Sequence, residues 1–145
     1  MQPQERARLL LDQAPDAIVF ADPEGNILEW NTAAERVFGF ERAEAVGERL
    51  DIIVPDRFRE AHWAGFTRAL AEGKTKYQGQ ALPTRSMRKD GSDIYVELSF
   101  AIVKDTQGGV VGVLAHARDI SERWAKEREQ RQRLKELEER VAGHT

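Results

Sequence analysis

The chain contains no cysteine, which excludes disulfides, thiolate nucleophiles and cysteine-ligated metals before any other residue is considered. Excess charge of one sign is missing too. The 22 lysines and arginines face 25 aspartates and glutamates, and the net charge of -3 offers no basic field to nucleic-acid phosphates. No stretch approaches the roughly 18–20 consecutive apolar residues that span a bilayer. The N-terminus, Met1-Gln2-Pro3-Gln4-Glu5-Arg6, lacks the apolar run of a secretory signal. Together these absences give the expectation of a cytoplasmic protein that touches neither membrane nor nucleic acid.

Catalytic signatures are equally scarce. There is no Gly-x-Ser-x-Gly elbow and no His-Glu-x-x-His pair, and the three histidines fall in unrelated segments. Gly108-Gly109 lies between two strand patterns, and no helix follows whose N-terminus could hold a phosphate. Glu35, Glu41, Glu44 and Glu48 surround short helical patterns and read as solubilising charges. No acid–base pair can be placed from spacing, so the chain is not expected to be an enzyme.

What is present fits one compact domain with an appendage, given 145 residues of which 41% are hydrophobic. Residues 4–13 carry Ala7, Leu10 and Leu11 at helical spacing among charges, which predicts a short amphipathic helix that packs on a partner surface. Ala14-Pro15-Asp16 breaks it. Residues 17–21 and 27–30 then read as two strands around the turn Asp22-Pro23-Glu24-Gly25-Asn26. Asn31-Thr32 opens a short helix closed by Gly39, residues 42–46 closed by Gly47 form a second, and Ile52-Ile53-Val54-Pro55 leads into a longer helix over 57–70.

After Gly73 the pattern predicts strands over 77–87, 94–103 and 110–118, separated by Arg88-Lys89-Asp90-Gly91-Ser92 and Asp105-Thr106-Gln107-Gly108-Gly109. Strict alternation puts Ile94, Val96, Leu98, Phe100 and Ile102 on one face. Five strands with helices inserted after the second define an α+β fold on an antiparallel sheet. From Ser121 the composition turns charged, glycine-poor and helix-forming, with Ile120, Arg123, Glu127, Gln130, Leu134, Leu137 and Val141 at alternating spacings of three and four. That seam is apolar mainly at its ends, which suits switchable pairing. The domain boundaries expected are therefore 1–14 for the lead-in helix, 15–120 for the core domain and 121–145 for the exit helix.

His62 stands alone on the otherwise apolar helix of residues 57–70. Two readings are open. A neutral imidazole facing a cavity can ligate a metal, haem iron in particular, whereas a structural histidine satisfies its nitrogens on a carbonyl or a water.

The order of hairpin, short helices, longer helix and three-stranded meander resembles the PAS sensory family over residues 15–121. The motifs that carry the likeness are Pro15-Asp16-Ala17-Ile18, the run from Gly25 through Ile27, Trp30-Asn31, Ala33-Ala34-Glu35 and Phe38-Gly39-Phe40, then Val46-Gly47, Arg88-Lys89-Asp90-Gly91-Ser92 and Arg118-Asp119-Ile120-Ser121-Glu122. The resemblance implies a sensory module that signals through the exit helix, with Asp119 anchoring the last strand to it. It also implies a homodimer through the N- and C-terminal helices, and an output domain or partner that this sequence does not contain.

Within that family, haem b oxygen sensors use a histidine at the position of His62 and pair a haem propionate at the position of Arg68. Leu98 and Phe100 match apolar positions over the gas-binding face, and Ala115 and Ala117 are the small side chains expected to face the cavity, with His116 on the outer sheet face. Leu82 departs from the pattern, because such sensors commonly carry arginine there, and Arg85 substitutes only if the strand register differs by an odd number. The haem resemblance thus assigns His62 as the iron ligand and Arg68, Leu82, Leu98, Phe100 and Ala115 as cofactor-binding residues. Without cysteine, a cysteinyl flavin adduct and a thioester-linked chromophore are excluded. Non-covalent flavin, another small ligand, and a cofactor-free dimerisation module with Trp63 or Phe66 filling the cavity stay open.

Overall fold

A computed structural model describes residues 1–75 and 80–143. Helix α1 (Pro3–Gln13) precedes a hairpin of β1 (Ala17–Ala21) and β2 (Ile27–Trp30). Helices α2 (Thr32–Phe38) and α3 (Arg42–Ala45) and two short 3-10 turns (Leu50–Ile53, Asp56–Phe58) lead to α4 (Arg59–Glu72). The meander β3 (Leu82–Met87), β4 (Asp93–Lys104) and β5 (Val110–Asp119) follows, and α5 (Ser121–Gly143) leaves the domain. The five strands form one antiparallel sheet in the order β2-β1-β5-β4-β3, as the sequence pattern implies. Strand β3 begins at Leu82, later than the expected 77, and residues 77–79 lie outside the described ones.

Local chemistry explains the first half. Asp22 Oδ1 accepts the backbone N–H groups of Glu24 and Asn26 and closes the β1–β2 turn. Gly25 there has a φ of +87°, and a Cβ on it would sit 2.3 Å from the Trp63 ring, so only glycine fits on both counts. Asn31 caps α2, and Gly39 ends it in the left-handed region with its N–H on the Glu35 carbonyl. The acidic residues correct the sequence reading. Glu41 and Glu44 form a reciprocal capping box on α3, Glu35 accepts the Arg42 N–H, and Glu44 pairs with Lys89. That lysine holds the Glu44 carboxyl below its ordinary range, assisted by the Glu41 backbone N–H.

The core lies between the sheet and α2, with Trp30, Phe38, Ile27 and Val96 as its largest fully buried apolar side chains. Trp30 Nε1 donates to the Phe40 carbonyl at 2.9 Å. Asn31, also fully buried, does more than cap. Its Oδ1 accepts from the Ile18 and Ala34 N–H groups, and its Nδ2 donates to the carbonyls of Leu11 and Asp16. One side chain thereby joins the end of α1, the start of β1 and the start of α2. Helix α1 is held by this bond and by a two-pronged Arg8–Glu29 pair at 3.1 and 2.9 Å, and no residue of it is buried. Its apolar positions Leu9 and Leu10 face solvent.

Candidate functional site

Along helix α4, Arg59, His62, Trp63, Phe66, Ala69 and Leu70 are half-buried, Trp63 and Phe66 packing against the core, and no residue of α4 is buried. The spacing is that of a core-facing helix; the depth of burial is not. At the N-terminal end of α4, Trp63 covers Gly25, donates from Nε1 to Asp51 at 2.7 Å and lies under the Arg49 guanidinium at 4.0 Å. Beyond its C-terminal end, Gly73 lies beside the Lys104 side chain at the end of β4. The helix therefore crosses the far end of the sheet.

Register fixes what it crosses. Leu82 pairs with Leu98, Leu98 with Ala117, Phe100 with Ala115, and Ala115 with Val19. Opposed residues share a face, so Leu82, Leu98, Phe100 and Ala115 are brought together on the inner face. Along β4 that face is fully buried at Val96, half-buried at Leu98 and 41% exposed at Phe100. The inner face is thus progressively less covered toward the C-terminal end of β4.

His62 is on the half-buried side of α4. Its ring stands edge-on to Trp63, centroids 4.8 Å apart, and 6.0 Å from Phe66. Nδ1 is buried and has no hydrogen-bond partner in the protein, so no backbone carbonyl satisfies it. Burial lowers the imidazole pKa below its ordinary value, Arg49 adds to that, and Asp51 opposes both. The ring is neutral at neutral pH, the form that ligates metals. A neutral imidazole with a buried, unpartnered nitrogen is chemically suited to ligate haem iron. Trp63 and Phe66, the two aromatics expected as fillers, stand edge-on to each other with centroids 5.2 Å apart, and both pack against the core.

Arg68 is not brought to His62. Six residues on is about 240° round the helix, and Arg68 is exposed, with no ion pair among the described residues. Arg85 pairs with Tyr95 and donates to its hydroxyl, which places it on the outer face and removes it as a substitute for the missing arginine at Leu82. His116 is on the outer face as expected, with Nε2 3.6 Å from Asp16.

Other residues escaped the sequence reading. Asp16 accepts two hydrogen bonds from Arg118, at 3.1 and 3.0 Å, which tie the segment before β1 to β5. Tyr95 stacks on Trp124, centroids 4.6 Å apart and planes 16° apart. A lone tryptophan in the charged exit helix was the one available signal. Asp119 anchors the exit helix as expected: Oδ1 accepts the Ser121 N–H and Oδ2 an Arg88 N–H. Among the described residues no group of three or more His, Asp or Glu could hold a bare metal ion, and no helix is long and apolar enough to cross a membrane.

The chain matches the family model described as PAS fold over residues 11–125 and belongs to that family. It is a PAS sensory module. It is 30% identical to the oxygen sensor protein DosP of Escherichia coli (strain K12) over 122 residues, 84% of this chain and 15% of that protein. It is also 30% identical to the sensor protein FixL of Bradyrhizobium diazoefficiens over 115 residues, 79% of this chain and 22% of that one. The chain thus spans under a quarter of the length of these relatives. The crystal structure of a PAS domain from Colwellia psychrerythraea superposes with a TM-score of 0.71 at 24% identity, covering 83% of this chain and 99% of that one. A structure titled for a flavin analogue in a light-oxygen-voltage domain superposes at 0.64 with 20% identity, covering 90% and 96%. These two likenesses concern the fold.

Proposed function

We propose that the chain is the input module of a cytoplasmic signalling system, a core domain over 15–120 between a lead-in helix over 1–14 and a signalling helix over 121–145, and that it binds haem b through His62. The observation that carries this reading is the buried, unpartnered Nδ1 of a neutral His62 on the half-buried side of α4. Bound haem supplies an iron position that takes a diatomic gas. Leu82, Leu98, Phe100 and Ala115 would supply an apolar wall beside it, whereas Arg68, on the opposite side of α4 from His62, would not reach it. Likeness to an oxygen sensor supports the same reading. The signal leaves through Asp119-Ile120-Ser121 into α5, and the module acts as a homodimer through α1 and α5 on a downstream partner.

The test is an absorption spectrum of the purified protein, repeated after haem titration. A Soret band distinct from that of free haem, lost or shifted in His62→Ala, is expected; identical spectra for the two proteins remove haem ligation by His62. A cofactor-free association module is the second reading, favoured by Phe66 packing beside the imidazole. It requires a colourless protein whose oligomeric state ignores added haem.

A further inference from the structure

The buried Nδ1 of His62 has no hydrogen-bond partner in the protein. A metal-ligating histidine is ordinarily oriented by a bond from its second ring nitrogen to a carboxylate, a carbonyl or a water. What lies against this imidazole instead is aromatic: Trp63 stands edge-on with centroids 4.8 Å apart, and Phe66 is tilted at 6.0 Å. Successive residues of a helix project about 100° apart, so the contact between the rings of His62 and Trp63 depends on where the indole is held.

Four groups hold it. Nε1 donates to Asp51 Oδ1 at 2.7 Å, the Arg49 guanidinium lies 4.0 Å over the ring, and Phe66 stands edge-on at 5.2 Å. The fourth is Gly25, where a Cβ would come within 2.3 Å of the indole. Gly25, Arg49 and Asp51 belong to one paired stretch of backbone. The Leu50 N–H donates to the Gly25 carbonyl at 3.1 Å, Asn26 and Arg49 form an antiparallel bridge, and Arg49 Nη2 donates to the Glu24 carbonyl at 3.1 Å. The β1–β2 turn and residues 49–51 therefore make a single seat for the Trp63 ring.

We propose that Trp63 is a positioning residue for His62: its seat on Gly25, Arg49 and Asp51 sets the orientation of the imidazole in place of a hydrogen bond on Nδ1. Asp51 stands one step further out and acts on His62 through the indole. For its functional meaning this rests on the reading that His62 ligates haem, whereas the ring geometry belongs to the haem-free chain.

The test uses the full chain, first without haem. Nuclear Overhauser contacts between the ring protons of His62 and Trp63 are expected in the wild type and in Asp51→Asn, whose amide oxygen still accepts the Nε1 proton, and are expected to be lost in Asp51→Ala. With haem bound, transfer to a scavenging globin is expected to run about ten-fold faster for Asp51→Ala and Trp63→Phe, the order found for lost outer partners of metal ligands, and at the wild-type rate for Asp51→Asn. Phe38→Leu, a truncation at a fully buried position of the packed end, is expected to lower the melting temperature and leave the transfer rate unchanged, which separates positioning from general destabilisation. Ring contacts absent from the wild type or unaltered in Asp51→Ala overturn the proposal. So do transfer rates unaltered in both Asp51→Ala and Trp63→Phe, or an equal acceleration by Phe38→Leu. A wild type that takes up no haem instead removes the reading of His62 as a ligand, and the ring contacts of the haem-free chain still decide the positioning.

Discussion

The two ends of the same sheet are built differently. At the β1–β2 and α2 end, Trp30, Asn31, Ile27 and Phe38 are fully buried and each polar atom of the Asn31 side chain is hydrogen-bonded. At the α4 end no helical residue is buried, the inner face of β4 is exposed by Phe100, and one imidazole nitrogen is left without a partner. Packing is complete at the first end and incomplete at the second. Such a division lets one face of the fold change without unfolding the other.

The comparison breaks most directly at the packed end. Trp30→Ala is expected to cost about 3–5 kcal/mol, as for other large core truncations. Asn31→Ala strands several buried backbone groups and is expected to cost about 3 kcal/mol. Denaturant titration checks both; a loss below about 1 kcal/mol in either places the stability elsewhere. Gly25→Ala comes next. The left-handed φ costs about 1 kcal/mol, and the added methyl must displace Trp63. Its distinguishing readout is a change in tryptophan fluorescence from loss of the Trp63–Asp51 bond, in excess of the change in melting temperature.

Much of the fold was legible because turn chemistry and period-two alternation are local. Asn31, Gly25, Gly39 and the alternating run of β4 each carry their reason within a few residues. The inner-face row of Leu82, Leu98, Phe100 and Ala115 followed from alternation plus resemblance, and the strand register brings the four together. Long-range pairs were not legible. Asp16 and Arg118 are 102 residues apart, and Glu44 meets Lys89 only because α3 packs beside the β3–β4 turn. The carried-over role of Arg68 shows another limit: a residue six positions from His62 turns to the other side of an α-helix, which spacing alone would have revealed. The depth of His62 was hidden because helix periodicity gives direction and not burial.

Phe100 and His62 sharpen the comparison with the smallest effects. Phe100→Ala is expected to cost under about 1 kcal/mol, because a 41% exposed ring loses little buried area, while weakening haem retention several-fold in a transfer assay. His62 carries a pH signature in the haem-free chain. Its folded pKa lies below its unfolded value of about 6.5, so above that pH neither state is protonated and the group adds no pH dependence. As pH falls below it, the unfolded chain takes up the proton first, and stability declines until the folded-state value is reached. Urea midpoints measured from pH 7.5 to 5 should fall more steeply for the intact chain than for His62→Gln, with the difference vanishing above pH 7. Parallel curves would mean that the imidazole is as well solvated in the fold as outside it. The α4 end would then lose the dry, neutral imidazole on which its contrast with the packed end depends.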